Sequence, residues 1–226
     1  MSNNDFYFQK YIKYKTKYLS LISQQQGGAN VNGLVFDFDN TITKFQLIIN
    51  IPFESISNYK SYVDQRTEDI LSDLFKYSKF INNLRKFKNK GNYIGIASYG
   101  YKDVIKYVLD KFNLRDIFND YILTPADFGL KEAVSATIQL DGKNKMIKTF
   151  QQQWNITDKH KIMLVDDSEP NILRALKEGF YAIKSNEYGL IKENQDVLNK
   201  FMNGIFKPSS KCTDIINIEG QICPPK

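Results

Sequence analysis

Residues 34–43 have the sequence LVFDFDNTIT, in which an apolar run leads into two carboxylates. It begins with a continuous apolar run, as expected of a strand that is buried on both faces of a sheet. Asp37 and Asp39 follow two residues apart, and Thr41 comes two residues after Asp39. Because side chains alternate along a strand, both carboxylates would point the same way if the strand continued, so the two could serve one site.

From this stretch onwards, short apolar runs alternate with longer segments at helical spacing. The apolar runs are 34–38, 93–97, 121–123, 162–165 and 181–183, and the helix-like segments lie around 72–88, 102–112, 145–154, 170–177 and 196–202. Apolar strands that alternate with helices imply a parallel sheet that is covered on both faces. The predicted fold class is therefore α/β, a doubly wound, Rossmann-like parallel sheet of about five strands.

The composition excludes several classes of protein. A chain of 226 residues with 42% hydrophobic and 25% charged residues is globular and long enough for one domain with a core. The net charge of +6 favours anionic partners such as phosphoesters, phosphoproteins or nucleic acid.

Cys212 and Cys223 both lie in the C-terminal segment, so we expect no core disulfide. No apolar run approaches the roughly 18 residues that span a bilayer, and we expect a cytoplasmic protein.

Changes in composition along the chain predict three segments. Residues 1–30 are predicted to be a basic amphipathic extension and linker, suited to an acidic partner or a membrane surface. Residues 31–206 are predicted to form the main domain, in which 44–72 is a flap or small cap insertion. Residues 207–226 lack periodicity and are predicted to be a loose tail.

Polar residues stand where the predicted strands end. They are Asp37 and Asp39 after the first run, Ser98 after the second, and Asp166 and Asp167 after the fourth. In open α/β sheets, ligands bind beyond the carboxyl ends of the strands, so these side chains are expected at one site. Two adjacent carboxylates after a buried strand are costly unless a cation compensates them. The alternative is that Asp167 or Ser168 caps the helix that follows.

This order of motifs resembles the haloacid dehalogenase superfamily. The shared features are Asp-x-Asp-x-Thr, a serine after the second strand, a lysine, and then Asp-Asp, and they span residues 34–185. Within the superfamily, residues 145–180 are similar to the capless or small-cap magnesium-dependent phosphatases allied to the carboxy-terminal-domain phosphatases. The segment KYIKYKTKYLSL, residues 10–21, resembles the leader segments of giant-virus proteins, which would place the protein in the host cytoplasm.

The resemblance implies a magnesium-dependent phosphomonoester hydrolase. Asp37 would attack phosphorus and become an aspartyl phosphate. Asp39 would protonate the leaving oxygen and later deprotonate the attacking water. Mg²⁺ would be held by Asp37, by the backbone carbonyl of Asp39 and by Asp167, with Asp166 as a helper or alternative ligand.

The resemblance also implies contacts to the phosphoryl group from Thr41, Ser98 and a lysine, and it places Asn171 near the metal. We favour Lys145 as the lysine because it opens the predicted helix 145–154 at a suitable distance before Asp167. The alternatives are Lys143, Lys148 and the more remote Lys131.

The insertion at 44–72 is too short for a large cap domain, so we expect an open site that admits bulky substrates such as phosphoproteins. The same residues would serve a polynucleotide 3′-phosphatase or a small-metabolite phosphatase. A domain that binds magnesium and phosphate for regulation or as a scaffold, without turnover, is the alternative that is not an enzyme. The presence of Asp39, which supplies the acid/base, argues against that alternative.

Overall fold

The computed structural model describes residues 31–47, 56–130, 140–186 and 188–206. None of the helices in these ranges is long and apolar enough to cross a lipid bilayer. Several sequence predictions fall outside the described residues. They concern the extension at 1–30, the tail at 207–226 with both cysteines, residues 48–55 of the insertion, and Lys131.

Five parallel strands form the sheet, in the order β3-β2-β1-β4-β5. The strands are β1 Gly33–Phe36, β2 Tyr93–Ala97, β3 Ile122–Leu123, β4 Ile162–Asp166 and β5 Tyr181–Lys184. The central strand β1 pairs with both β2 and β4. After β1, the chain forms β2 and β3 on one side of β1 and then β4 and β5 on the other side. The strand order therefore reverses at β1. This confirms the predicted doubly wound α/β fold.

Eight α-helices surround the sheet in the described part of the chain. They are α1 Ile56–Gln65, α2 Asp73–Lys76, α3 Ser78–Asn89, α4 Lys102–Lys111, α5 Arg115–Phe118, α6 Asn144–Gln153, α7 Glu169–Glu178 and α8 Lys192–Met202. The longer ones bury an apolar stripe at helical spacing, such as Phe80, Leu84 and Phe87 on α3. Helix α6 begins at Asn144, one residue before the predicted start.

Aromatic side chains pack against the central strands. Phe36 on β1 makes edge-to-face contacts with Phe75 and Phe118, with ring centroids 5.6 and 6.1 Å apart. Trp154 lies over Gly33, where a Cβ atom would come within 2.6 Å of the indole ring. The strand glycine therefore provides the space for the indole ring, and β1 is held between aromatic side chains and its two neighbouring strands.

The insertion after β1 is closed by a short antiparallel stem. Backbone hydrogen bonds join residues 42–44 to residues 70–72. Helix α1 lies inside the insertion, and its residue Asp64 accepts a hydrogen bond from Tyr107 Oη at 2.8 Å and pairs with Lys111. Both partners belong to α4, so the described part of the insertion is a stem and one helix docked beside the sheet.

Candidate active site

Asp37 follows β1 at the carboxyl edge of the sheet. Its backbone N–H donates to the carbonyl of Val165 at 2.8 Å, which continues the pairing between β1 and β4. Its side chain is buried, and Oδ1 accepts a hydrogen bond from the backbone N–H of Phe38 at 2.6 Å. The carboxylate is thereby fixed at the point where the strand order reverses, the position at which open α/β sheets bind ligands.

A buried lysine lies between two carboxylates. Lys143 Nζ contacts Asp37 Oδ1 and lies 2.8 Å from Asp166 Oδ2, and the lysine side chain is only 1% exposed. Burial alone would lower the pKa of Lys143, but the carboxylates of Asp166 and Asp37 outweigh burial and hold the pKa above its usual value. The site therefore contains a permanent positive charge.

The choice of lysine from the sequence needs correction. Lys145, the favoured residue, is exposed on the first turn of α6, and Lys148 Nζ lies 3.0 Å from Glu178 Oε2. Lys143 instead precedes the helix as its N-cap residue. Because residues two apart on a helix face different directions, Lys145 cannot share the position that Lys143 takes.

A turn signal before Lys143 could have identified it. Asp141 and Gly142 both have positive φ angles, 51° and 60°. Asp-Gly is typical of tight turns because both residues tolerate this left-handed conformation. Lys143 directly follows the Asp-Gly pair as the last residue of the turn, and α6 begins one residue after it, so this lysine is held at the junction.

The two adjacent aspartates have different surroundings. Asp166 is fully buried, and its Oδ1 accepts hydrogen bonds from the backbone N–H of Ser168 at 2.9 Å and from Asn171 Nδ2 at 3.2 Å. Asp167 is half-buried, and its Oδ2 accepts a hydrogen bond from Asn40 Nδ2 at 3.0 Å. Both carboxylate oxygens of Asp166 thus have partners within the protein, whereas Asp167 remains partly accessible to solvent. Asn171 therefore lies beside Asp166, and its place near a metal stays a prediction.

Three carboxylates converge closely enough to share a cation. One oxygen each from Asp37, Asp166 and Asp167 lies within 4.8 Å of the others. Opposite oxygen ligands of Mg²⁺ are about 4.2 Å apart, so small side-chain adjustments would suffice. Three negative charges and the one ammonium of Lys143 leave a net charge of −2 when all groups are ionised. The residues present therefore fit a hard divalent cation.

The pKa of Asp37 reflects this excess of negative charge. Burial raises the pKa of Asp37 well above its ordinary value, Lys143 opposes the rise, and Asp166 and Asp167 add to it. Without a cation, Asp37 therefore tends to take up a proton, which would relieve part of the repulsion. A bound divalent cation would relieve the same repulsion and leave Asp37 ionised.

Asp39 has a different environment from Asp37 although it is only two residues away. Its carboxylate is half-buried, and Oδ1 accepts a hydrogen bond from the backbone N–H of Leu47 at 3.0 Å. Burial raises the pKa of Asp39 to about 6, although the hydrogen bond from Leu47 lowers it. A proton is therefore available on Asp39 at a pH where an ordinary aspartate is ionised.

Thr41 packs in the turn that follows β1. The residue is fully buried, and its Oγ1 lies 3.0 Å from Ser185 Oγ, which itself donates to the carbonyl of Asn40 at 2.9 Å. The hydroxyl of Thr41 therefore braces the turn after β1. Its contact to a phosphoryl group stays a prediction.

Ser98 follows β2 at the same edge of the sheet as Asp37. Its side chain is buried, and Oγ accepts a hydrogen bond from the backbone N–H of Gly100 at 3.0 Å. Its backbone N–H donates to the carbonyl of Leu123 at 3.0 Å, which extends the pairing between β2 and β3. The position agrees with the predicted edge, and its contact to phosphate stays a prediction.

Comparison with known proteins found no matching family model and no matching curated protein. Among solved structures, the chain is similar to a HAD-superfamily hydrolase from Ehrlichia chaffeensis, with 18% identity, 77% of this chain and 97% of that chain covered, and a TM-score of 0.49. A predicted phosphatase from Clostridium acetobutylicum gives 18% identity, coverage of 78% and 100%, and a TM-score of 0.45. CbbY from Rhodobacter sphaeroides, solved in complex with phosphate, gives 14% identity, coverage of 69% and 86%, and a TM-score of 0.45. Similarities at this level do not transfer residue roles.

Replacing the buried lysine should destabilise the protein in a pH-dependent way. Lys143→Met should lower the free energy of unfolding by about 3–5 kcal/mol at pH 7, because it leaves buried carboxylates without their partner. A carboxyl whose pKa is raised in the folded state stabilises the fold most at low pH, and this stabilisation is lost as the pH rises. Removing Lys143 raises the pKa of Asp37 further, because the lysine opposes the rise. The deficit should therefore shrink as the pH is lowered, as measured by urea denaturation.

Lys145→Met is the matched control, since this lysine is exposed two residues away. It should change the free energy of unfolding by less than about 0.5 kcal/mol at any pH. Equal stability of the two variants at pH 7 would contradict the buried ion pair.

Proposed function

We propose that the chain belongs to the haloacid dehalogenase superfamily and is a magnesium-dependent phosphomonoester hydrolase. The observation that supports this most is the buried ammonium of Lys143 between Asp37 and Asp166, beside Asp167. A carboxylate that attacks a phosphate dianion meets a like-charge repulsion of roughly 4 kcal/mol per pair of unit charges at 4 Å, for an effective dielectric near 20. A fixed positive charge at the attacking carboxylate offsets that repulsion.

In the proposed reaction, Asp37 and Asp39 divide the work. An oxygen of Asp37 forms a bond to phosphorus while the bond from phosphorus to the leaving oxygen breaks, and Asp39 donates its proton to that oxygen. In the second step a water oxygen attacks phosphorus, Asp39 accepts the proton from the water, and the bond to Asp37 breaks. The enzyme returns to its starting state with inorganic phosphate released.

The different environments of the two aspartates support this division. The hydrogen bond from the backbone N–H of Phe38 and the contact with Lys143 both favour an ionised Asp37 once a cation balances the cluster. Burial raises the pKa of Asp39 to about 6, so about one tenth of the molecules carry a proton on Asp39 at pH 7, far more than for an ordinary aspartate. Two identical residues can thus serve as nucleophile and acid.

Asp37, Asp167 and the backbone carbonyl of Asp39 would hold the magnesium ion, with Asp166 as an alternative ligand. The ion would neutralise charge on the phosphoryl oxygens and help to orient them. Asp167 is better suited than Asp166, because the oxygens of Asp166 already interact with Lys143, Ser168 and Asn171. Asn40 would hold Asp167 in place through its side-chain amide.

The site would be open to bulky substrates such as phosphoproteins. In support, the described part of the insertion consists of a short stem and α1, and α1 docks on α4 through Asp64. A panel of phosphopeptides, polynucleotide 3′-phosphates and sugar phosphates would separate the candidate substrate classes. Turnover of phosphopeptides in preference to the other two is the result that we expect.

The proposed nucleophile is tested by hydrolysis of a generic aryl phosphate with magnesium. The wild-type protein should release phosphate, and Asp37→Asn should lower kcat at least about 1,000-fold because the amide cannot form the aspartyl phosphate. A chelator should also abolish turnover, and added magnesium should restore it. Asp120→Asn, at a side chain that is 93% exposed, is the control and should keep full activity. Turnover that survives Asp37→Asn would rule out the proposed mechanism. Magnesium binding without any turnover would favour a binding domain.

The role of Asp39 predicts a dependence on the leaving group. Asp39→Asn cannot donate a proton, so kcat should fall about 100- to 10,000-fold for alkyl phosphates, whose leaving oxygens need protonation. For an aryl phosphate with an acidic phenol the first step should be much less affected, because that oxygen can leave as an anion. Pre-steady-state release of the phenol measures this first step separately. An equal fall in the rate of leaving-group release for both substrate types would contradict the assignment of Asp39 as the acid.

A further inference from the structure

The side chain of Asn144 ties the turn that bears Lys143 to helix α7. Asn144 is 3% exposed, and its Nδ2 donates to Asp141 Oδ2 at 3.0 Å and to the backbone carbonyl of Arg174 at 3.2 Å. The first bond closes the turn from within, and the second joins it to a neighbouring helix. One amide group therefore fixes the turn on the two sides of Lys143.

The turn also approaches α7 closely through its backbone. A Cβ atom on Gly142 would lie 3.0 Å from both Arg174 Cδ and Asn171 Oδ1. Asn171 in turn donates to the carboxylate of Asp166, which contacts Lys143. Helix α7 therefore touches both the backbone beside Lys143 and one of the carboxylates that the lysine contacts.

The buried amide of Asn144 is not fully satisfied. Among the described residues, its Oδ1 has no hydrogen-bond partner. A buried acceptor without a partner is unfavourable, and an apolar residue of similar size would avoid that cost. The stability of α6 alone therefore does not explain why residue 144 is asparagine. The two hydrogen bonds that Nδ2 donates, in contrast, fix the position of the turn.

We propose that Asn144 is a positioning residue that holds Lys143 so that its ammonium lies between Asp37 and Asp166. The inference rests on the proposed function, in which this ammonium offsets the charge at the attacking carboxylate. A lysine side chain has several rotatable bonds, so its ammonium is placed accurately only if its backbone is fixed. Because an error of about 1 Å in a catalytic group can cost about 100-fold in rate, a fixed turn matters for turnover.

The test compares Asn144→Ala with Asn92→Ala. Asn92 is a half-buried asparagine whose side chain also braces a turn, accepting from Asn32 N at 2.8 Å and donating to the carbonyl of Phe87 at 2.9 Å, beside the start of β2. Asn144→Ala should lower kcat/KM for an aryl phosphate about 10- to 100-fold, whereas Asn92→Ala should change it less than about 2-fold. Thermal unfolding of both variants shows that each one is folded at the assay temperature.

A second measurement does not depend on turnover. Lys143 is buried, so a small amine-modifying reagent should label it slowly in the wild-type protein, as read from its peptide by mass spectrometry. Asn144→Ala should raise this rate about 10-fold because the turn opens more often, while the rate at the exposed Lys145 should not change. Asn92→Ala should leave both rates unchanged.

The proposal requires both effects. It is overturned if kcat/KM of Asn144→Ala stays within about 2-fold of the Asn92→Ala value, or if kcat/KM falls while the labelling of Lys143 does not rise. If Asn144→Ala does not fold, Asp141→Ala replaces it, with Asp141→Asn as the conservative variant that keeps an acceptor oxygen and tolerates the positive φ. Asp141→Ala should then show both effects, and a smaller or absent effect relative to Asp141→Asn overturns the proposal. Loss of the requirement for Asp37 would instead overturn the proposed function.

Discussion

The ammonium of Lys143 stands at the centre of this structure because it joins elements that are distant in sequence. It contacts Asp37 after β1 and Asp166 at the end of β4, and it arrives from the turn before α6. Each of these groups is buried, and a buried charge without a partner is strongly destabilising. The carboxyl edge of the sheet, the turn and helix α7 must therefore come together in one arrangement for the charges to be compensated.

That arrangement leaves the cluster short of positive charge. Three carboxylates surround one ammonium, and the raised pKa of Asp37 is the consequence of its burial beside Asp166 and Asp167. Apolar residues of similar volume in place of these buried charges would give a fold that is equally stable or more stable. The acidic excess lies at the point where the strand order reverses, and it fits the proposed binding of a divalent cation, whose two positive charges would balance it.

The sheet could be predicted from the sequence because its strands are buried on both faces and read as continuous apolar runs. The acidic residues could be predicted for a related reason, since Asp37, Asp166 and Asp167 directly follow such runs. The lysine could not be predicted, because its position depends on a turn outside the regular elements. Helix α6 begins one residue earlier than its apolar pattern suggests, and Lys143 precedes the helix. The Asp-Gly pair before it is the local signal that would have distinguished Lys143 from Lys145.

Thr41 illustrates a different limit. The threonine lies in the motif as expected, but whether its hydroxyl faces the site depends on Ser185, which is far away in sequence and contacts it across the sheet edge. Tertiary contacts of this kind decide the orientation of a side chain without leaving a pattern in the sequence around it. The same holds for Asn40, whose amide reaches Asp167 only because β1 and β4 are neighbours.

The proposed mechanism requires that Asp37 becomes phosphorylated during turnover, and chemical trapping can detect this intermediate. The protein is mixed with an aryl phosphate and magnesium, quenched in acid and reduced with borohydride, which converts an aspartyl phosphate to homoserine. Peptide mass spectrometry should then find homoserine at position 37 and unchanged aspartate at position 39. Homoserine at another position, or none at position 37 in a protein that turns over the substrate, would contradict Asp37 as the nucleophile.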